Sequence, residues 1–241
     1  MRDELRWHQA TAIELLFELG RWQECAVAAD EFISDAAARR AKHYMDSWVR
    51  LTRARLRLAR DDLHGALLDQ STGLSAARIA KDPQVLYPAL TVSAYLLADA
   101  GRLEDAGQLV DEFMAKEPSA IGELLVGTII DLAFAADRLG RTGELRQWLA
   151  GSGESLWSRA ARALVDHDFQ PGLALLEDIG AIRSLNVARL WAARVSFESG
   201  RTADVEESLN PALDFFHSVG AKRFVRRAEA LSVSSRVPDA W

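Results

Sequence analysis

A glycine followed by arginine ends an apolar helical run at four places in this chain: ELGRWQEC at Gly20, DAGRLEDA at Gly101, RLGRTGEL at Gly140 and ESGRTADV at Gly200. A second apolar run follows each one. Just past the last turn of a helix, glycine can adopt the left-handed conformation without a Cβ clash, which ends the helix and turns the chain. Each pair therefore predicts the bend of a helical hairpin. The residue five positions after the glycine falls where the second helix crosses the first. Cys25 and Ala106 are small there and allow close approach, whereas Leu145 and Val205 predict slightly wider hairpins.

The glycines are 81, 39 and 60 residues apart, so the first and last gaps are wide enough for one more unit each. Two worn copies fill them. LARDDLHGALL places Asp61 at the turn and Ala66 five later; LVDHDFQPGLALL places His167 at the turn and Gly172 five later. The turns then fall at 20, 61, 101, 140, 167 and 200. Apolar groups three and four apart recur in IELLFEL, YLLADA, LAFAADRL and LWAARVSF, and no useful stretch alternates apolar and polar residues as a half-buried strand would. Good helix formers dominate the composition. A unit of this size cannot bury its apolar face alone and must stack on its neighbours. The expectation is an all-α chain, a right-handed α-solenoid of six helical hairpins plus a C-terminal capping helix over residues 1–234, with 235–241 as a frayed tail. The cap is read from residues 222–233, where Phe224, Val225, Ala228 and Leu231 form one narrow stripe among charges. The first helix begins almost at Met1, so the chain is either a piece of something longer or opens on a short cap. Asp82 and Pro83 fit a helix start. Pro88 then bends the second turn, or the helix proper starts near Tyr87; Pro211 is expected to kink or interrupt its helix.

The best unit runs from Leu90 to Pro118 and carries Ala94, Leu97, Gly101, Ala106, Val110, Phe113 and Pro118 in order. In this the chain resembles tetratricopeptide-like repeats, although the early spacings exceed that family's usual period of about 34 residues. The stretches DPQVLYPALTVSAYLLADAGRLEDA and ALDFFHSVGAKRFVRRAEAL also resemble the C-terminal helical arm of large bacterial, chiefly actinobacterial, signalling regulators. Those proteins join an NTPase module to a nucleotide cyclase or to a LuxR-type helix-turn-helix domain. The resemblance implies a sensor or scaffold arm that binds a peptide or partner domain on its concave face. No G-x-x-x-x-G-K-[ST] occurs here, so any ATPase would lie elsewhere.

The net charge of −6 argues against direct nucleic-acid binding. The most apolar run, LLVGTIIDLAFAA, contains Asp131 and is too short to cross a bilayer. A single cysteine, Cys25, fits a reducing compartment, and MRDELRWHQA is too polar for a signal peptide, so a cytoplasmic location is expected.

The most distinctive charged feature is the helix SWVRLTRARLRLARDD, in which Arg50, Arg53, Arg57 and Arg60 share a face. This face is either solvated and paired with carboxylates of neighbouring helices, or a basic strip that grips an acidic peptide or a terminal carboxylate through guanidinium forks. The dipeptide His167-Asp168 is the pair used by all-α metal-dependent hydrolases, with His43, His64 and Asp131 available on paper. Its place in register with the other turns explains it without a metal. DDLHG lacks the third acid of a magnesium motif, because position 65 is Gly65; Asp61 and Asp62 read as turn and N-cap. Acidic neighbours make Cys25 a packed thiol rather than a nucleophile. Of the seven tryptophans, Trp22, Trp48, Trp157 and Trp191 fit a core, and Trp7 and Trp148 are candidate exposed anchors. No catalytic residue, cofactor or metal ligand is expected. The favoured reading is a non-catalytic interaction scaffold with a protein or peptide partner. The alternatives are a metal-dependent hydrolase centred on His167 and Asp168, and a repeat domain that senses a small molecule between its units.

Overall fold

The computed structural model describes residues 2–39, 43–118 and 125–236. Among these residues there are thirteen helices and no strand. They run as six consecutive pairs and a final single helix: α1 (Arg2–Glu18) with α2 (Trp22–Arg39), α3 (Met45–Ala59) with α4 (Leu63–Ala80), and α5 (Pro83–Asp99) with α6 (Leu103–Met114). Then come α7 (Thr128–Arg138) with α8 (Thr142–Leu149), α9 (Leu156–Val165) with α10 (Phe169–Ile179), α11 (Ile182–Glu198) with α12 (Thr202–Ser218), and α13 (Lys222–Arg236). Residues 237–241 of the expected frayed tail lie outside the described residues, and α13 itself extends to Arg236.

All six expected turns have a left-handed residue. Gly20, Gly101, Gly140 and Gly200 have φ of 77, 81, 69 and 72°, and Asp61 and His167, the two non-glycine copies, have 76 and 57°. The bonding around them repeats as well. The amide of the next residue donates to the carbonyl five residues back: Arg21 to Leu16, Asp62 to Arg57, Arg102 to Leu97, Arg141 to Ala136, Asp168 to Ala163 and Arg201 to Ser196, all at 2.7–2.9 Å. This is the six-to-one bond of a Schellman cap, which satisfies a carbonyl that the helix end would otherwise leave open. The arginine of each Gly-Arg pair then starts the next helix and reaches an acid three residues on, as Arg21 does with Glu24, Arg102 with Asp105, Arg141 with Glu144 and Arg201 with Asp204. In the second hairpin an aspartate takes over: the Asp62 carboxylate accepts from the Gly65 amide at 2.9 Å. A Cβ on Gly65 would stand 2.2 Å from that carboxylate, which is why the third acid of a magnesium motif has no room there.

Five residues after each turn the chain is buried, at Cys25, Ala66, Ala106, Leu145, Gly172 and Val205. α5 starts at Pro83 with Asp82 as its cap, the carboxylate accepting from the Gln84 amide at 2.9 Å, and it runs through Pro88. α12 likewise runs through Pro211 rather than being interrupted by it. Pro211 and Glu207, whose carbonyl loses its amide partner, are both exposed, so water can take the place of the missing bond.

Neighbouring helices pack along the chain, and the first helix of one pair meets the first helix of the next, α1 with α3, α3 with α5, α5 with α7 and α7 with α9. Two further contacts do not belong to a stack in which each hairpin meets only its neighbours. α1 touches α11, and α3 touches α13. Phe215 of α12 packs edge-on to Trp22 of α2 at 5.9 Å, and Arg226 of α13 holds Asp61 at the turn between α3 and α4. The last hairpin and α13 therefore pack back on the first two hairpins, and α1, α3, α7 and α11 share one interior.

Two glycines in one hairpin separate backbone strain from packing. A Cβ at Gly101 or at Gly107 meets nothing within 4 Å, but only Gly101 has positive φ. Gly101→Ala is expected to lower stability by about 1–2 kcal/mol through the left-handed strain. Gly107→Ala, inside α6, should raise it by about 0.5–1 kcal/mol through helix propensity. Urea unfolding midpoints of the two variants should therefore move in opposite directions.

Candidate functional site

Numbered back from the turns, the first helices share an inward row. Glu14, Arg55, Tyr95, Phe134 and Arg194 each lie six residues before a turn. Two things occupy the interior onto which this row looks: a knot of charge and an apolar pocket.

The knot joins α1, α3, α7 and α11. The Arg55 guanidinium lies between Asp131, 3.0 Å from Nη1, and Glu14, whose two oxygens both accept from Nη2. Arg183 pairs with the other oxygen of Asp131 at 2.7 Å and lies 3.7 Å from Glu18. Glu18 accepts from the Ser184 hydroxyl at 2.8 Å, across 166 positions of sequence. Both guanidinium groups also lie over the Phe17 ring, at 4.7 and 5.2 Å. Arg55, Asp131 and Arg183 are essentially sealed from water. Burial opposes the Arg183 charge, but Asp131 and Glu18 outweigh it and hold its pKa above the usual guanidinium value. Three carboxyls face two guanidiniums. Burial pushes the Glu18 carboxyl above the usual range, and Arg183 and Arg55 pull it back only in part.

The pocket lies beside the knot, between α5, α7, α11 and α13. It is a cavity of ≈ 360 Å³ walled by Tyr95, Phe134, Val187, Leu190, Trp191, Phe224 and Leu231. The aromatic wall is continuous, with Phe134 centred 6.2 Å from Tyr95 and 5.0 Å from Trp191. Charges sit at its edge in two groups. Asp99 accepts from Arg223 Nε at 2.6 Å and also pairs with Arg227. Asp137 pairs with Arg194 at 2.5 Å and lies 3.5 Å from His167 Nε2. Arg138, also lining the pocket, is exposed and has no ion pair among the described residues.

The residues singled out from sequence lie elsewhere. Arg50, Arg53 and Arg57 converge on the buried Asp69 of α4, at 3.5, 2.7 and 2.9 Å, and Arg53 also reaches Asp30 of α2 at 2.6 Å. Arg60 lies half-buried beside Ala26 and Asp30 at the edge of a smaller cavity. This strip faces the second helices, whereas Arg55 of the same helix points to the interior. His167 occupies its left-handed turn, stacked on Phe169 at 5.7 Å, and Asp168 begins α10. Among the described residues no three of His, Cys, Asp and Glu gather as a metal site, and Asp131 is taken up by the two arginines. Cys25 is buried, and burial pushes its thiol up to about 12. Trp22 and Trp191 are buried, Trp48 and Trp157 half-buried, and Trp7 exposed. Trp148 departs from expectation: it is buried against Phe113, its indole N–H donating to the Lys116 carbonyl at 3.0 Å.

Sequence reasoning missed both the knot and the pocket. The signal that could have found them is the inward row itself, in which Glu14, Arg55 and Arg194 interrupt an otherwise apolar face once the helices are aligned on their turns. No protein-family model matches this chain, and no curated protein matches its sequence. No described helix is long and apolar enough to cross a membrane.

Arg55→Met leaves Glu14 without its guanidinium and Asp131 with Arg183 alone, and should cost about 3–5 kcal/mol of stability. Glu18→Gln should do the opposite at neutral pH. A carboxyl whose pKa is raised by folding supports the fold fully below its unfolded value and loses that support as pH rises through its folded value. The wild-type protein should therefore lose stability as pH climbs above the ordinary glutamate range. Denaturant titrations across that range should show a flatter pH profile for Glu18→Gln.

Proposed function

We propose that this chain is a non-catalytic, tetratricopeptide-like regulatory arm that binds a small, mainly apolar molecule in the α5/α7/α11/α13 pocket. The pocket is the observation that carries this reading. Its volume falls within the usual range of small-ligand sites, and its walls are aromatic and aliphatic with a few charges at the edge. A peptide lying along a concave groove fits less well. The space such a peptide would cross is occupied between α1, α3, α7 and α11 by Arg55, Asp131, Arg183 and Glu18.

The position of the pocket suggests how binding would be passed on. One wall is α13, through Phe224, Arg227, Ala230 and Leu231. This helix packs on α12 and is tied to the earlier hairpins by Arg223 and Arg227 on Asp99 and by Arg226 on Asp61. Arg226 and Arg227 are solvent-accessible, and ion pairs of that kind contribute little on their own. A ligand filling the pocket would touch α5, α7, α11 and α13 together and strengthen the docking of the last helix. In a bacterial signalling regulator of the kind the sequence resembles, that is a means of reporting a ligand to an attached domain. The single cysteine, buried as a thiol, suits work in the reducing cytoplasm.

Anilinonaphthalene sulfonate, an environment-sensitive dye, should bind the folded protein saturably and one to one. Ala230→Trp, a change at the exposed rim of the α13 wall, should fill the pocket and abolish that binding while circular dichroism shows the fold retained. Dye binding that survives Ala230→Trp, or that does not saturate, would count against the pocket. The non-catalytic part of the reading has its own check in a titration with manganese and zinc. Tight stoichiometric binding, lost in His167→Asn, would replace it with the hydrolase alternative; asparagine tolerates the left-handed turn, so the variant keeps the fold.

A further inference from the structure

We infer that the ligand of this pocket is a single-headed amphiphilic anion, an alkyl or aryl carboxylate, with its apolar body against Phe134, Trp191 and Leu190 and its head at Arg138. This rests on the pocket reading above and adds the charge of the ligand to it. Three guanidinium groups and two carboxylates line the cavity. Both carboxylates are already satisfied. Asp99 is held by Arg223 and Arg227, and its side chain is only 6% exposed; Asp137 is held by Arg194 and is 12% exposed. A cationic ligand would find each of them neutralised and would have to displace an arginine to reach it. Arg138 is the lining charge with no ion pair among the described residues, and it stands at the C-terminal end of α7, next to Asp137. The charge left over at the mouth is therefore positive, in a chain whose net charge is −6. That local sign is the reverse of the whole molecule's and favours an anionic head.

The C-terminal end of α7 places its partial negative charge near the same spot, which works against an anion. Two features offset it. The end of α7 is closed by its own bonds, the amides of Leu139 and Arg141 donating to Ala135 and Ala136 at 3.0 and 2.7 Å. Arg138 brings a full charge where the helix end brings a fraction of one. The cavity also sets the number of heads. Its walls are aromatic and aliphatic, and the donor they leave open is the neutral Trp191 indole N–H, which can meet a carbonyl or hydroxyl of the ligand but does not offset a second charge. A dicarboxylate or a nucleotide fits less well on that ground than a single head with a chain or ring behind it.

The test compares decanoate, decanol and decylamine, which share one chain and differ in charge, by calorimetry on the whole protein at neutral pH. Decanoate should bind up to about fivefold tighter than decanol, the gain of one exposed ion pair, and decylamine weakest. Arg138→Glu, an exposed change that leaves the apolar walls untouched, should reverse the order of decanoate and decylamine. Benzyl and naphthyl carboxylates measured alongside separate an alkyl from an aryl source of the same head. Equal binding of decanoate and decanol, unaltered by Arg138→Glu, would overturn the anion assignment and leave the pocket standing. Failure of all three chain compounds to bind, with anilinonaphthalene sulfonate also silent, would remove the pocket as a ligand site and this inference with it.

Discussion

A helix that ends on a left-handed residue sends its chain back along its own flank within two residues, and six such residues, one inside each hairpin, organise this molecule. The bend fixes more than direction. Because the amide after it bonds the carbonyl five residues back, the rotation of the first helix relative to the second is set by the same atoms each time. Residues at equal distance before each bend therefore point the same way in every hairpin. That is how Glu14, Arg55, Tyr95, Phe134 and Arg194, on five helices, come to face one interior. The backbone cost of the conformation is borne by glycine at four of the bends. At the other two, Asp61 is rewarded by Arg226, and His167 by stacking on Phe169 and by Asp137.

The charge knot makes the curl of the array specific. Apolar rows alone would let the first and last hairpins meet in several registers, since hydrophobic contact is not directional. A buried guanidinium tolerates only a geometry that places carboxylate oxygens where its N–H groups point. Asp131 accepts a hydrogen bond from Arg55 on one oxygen and has the Arg183 guanidinium at ion-pair distance from the other, so α3, α7 and α11 must come together for both buried arginines to have a carboxylate. Glu18 adds α1 to the same set through Arg183 and Ser184. Net stability gained from such a cluster is small or negative relative to well-packed hydrocarbon. Its effect is to penalise every other closure of the row.

The hairpins were legible in the sequence because their cause is local. A left-handed residue, its Schellman bond and the buried position five residues later all lie within about ten residues, and the pattern survives even where aspartate or histidine replaces glycine. Pro211 does not interrupt α12, since on an exposed face water can take the place of the lost bond. Trp148 was misread because the polar context around it in sequence, Arg146 and Gln147, belongs to the other side of α8, while its own ring turns inward to Phe113. The interior was not legible for a different reason. Glu18 and Ser184 are 166 positions apart, and nothing near either residue announces the other. The arginines of α3 show the limit most clearly: Arg53, Arg55 and Arg57 look alike in sequence, yet two hold Asp69 and one reaches Asp131 across the interior.

The knot and the pocket divide one interior by the size of the side chains that reach it. Between α1 and α3 the inward residues are Glu14 and Arg55, long enough to meet across the space, and Asp131 of α7 closes it. Between α5, α7 and α11 the corresponding positions carry Tyr95 and Phe134, which line a wall but do not reach across, and Arg194 is drawn aside to Asp137 and Glu198. Space is left where rings stand opposite α13. Arg194 starts from the same inward position as Arg55, but its guanidinium ends on Asp137 at the pocket edge; the other carboxylate of the lining, Asp99, is already committed to Arg223 and Arg227. The same ion pairs that secure the last helix thus keep the cavity free of an internal charge that would close it.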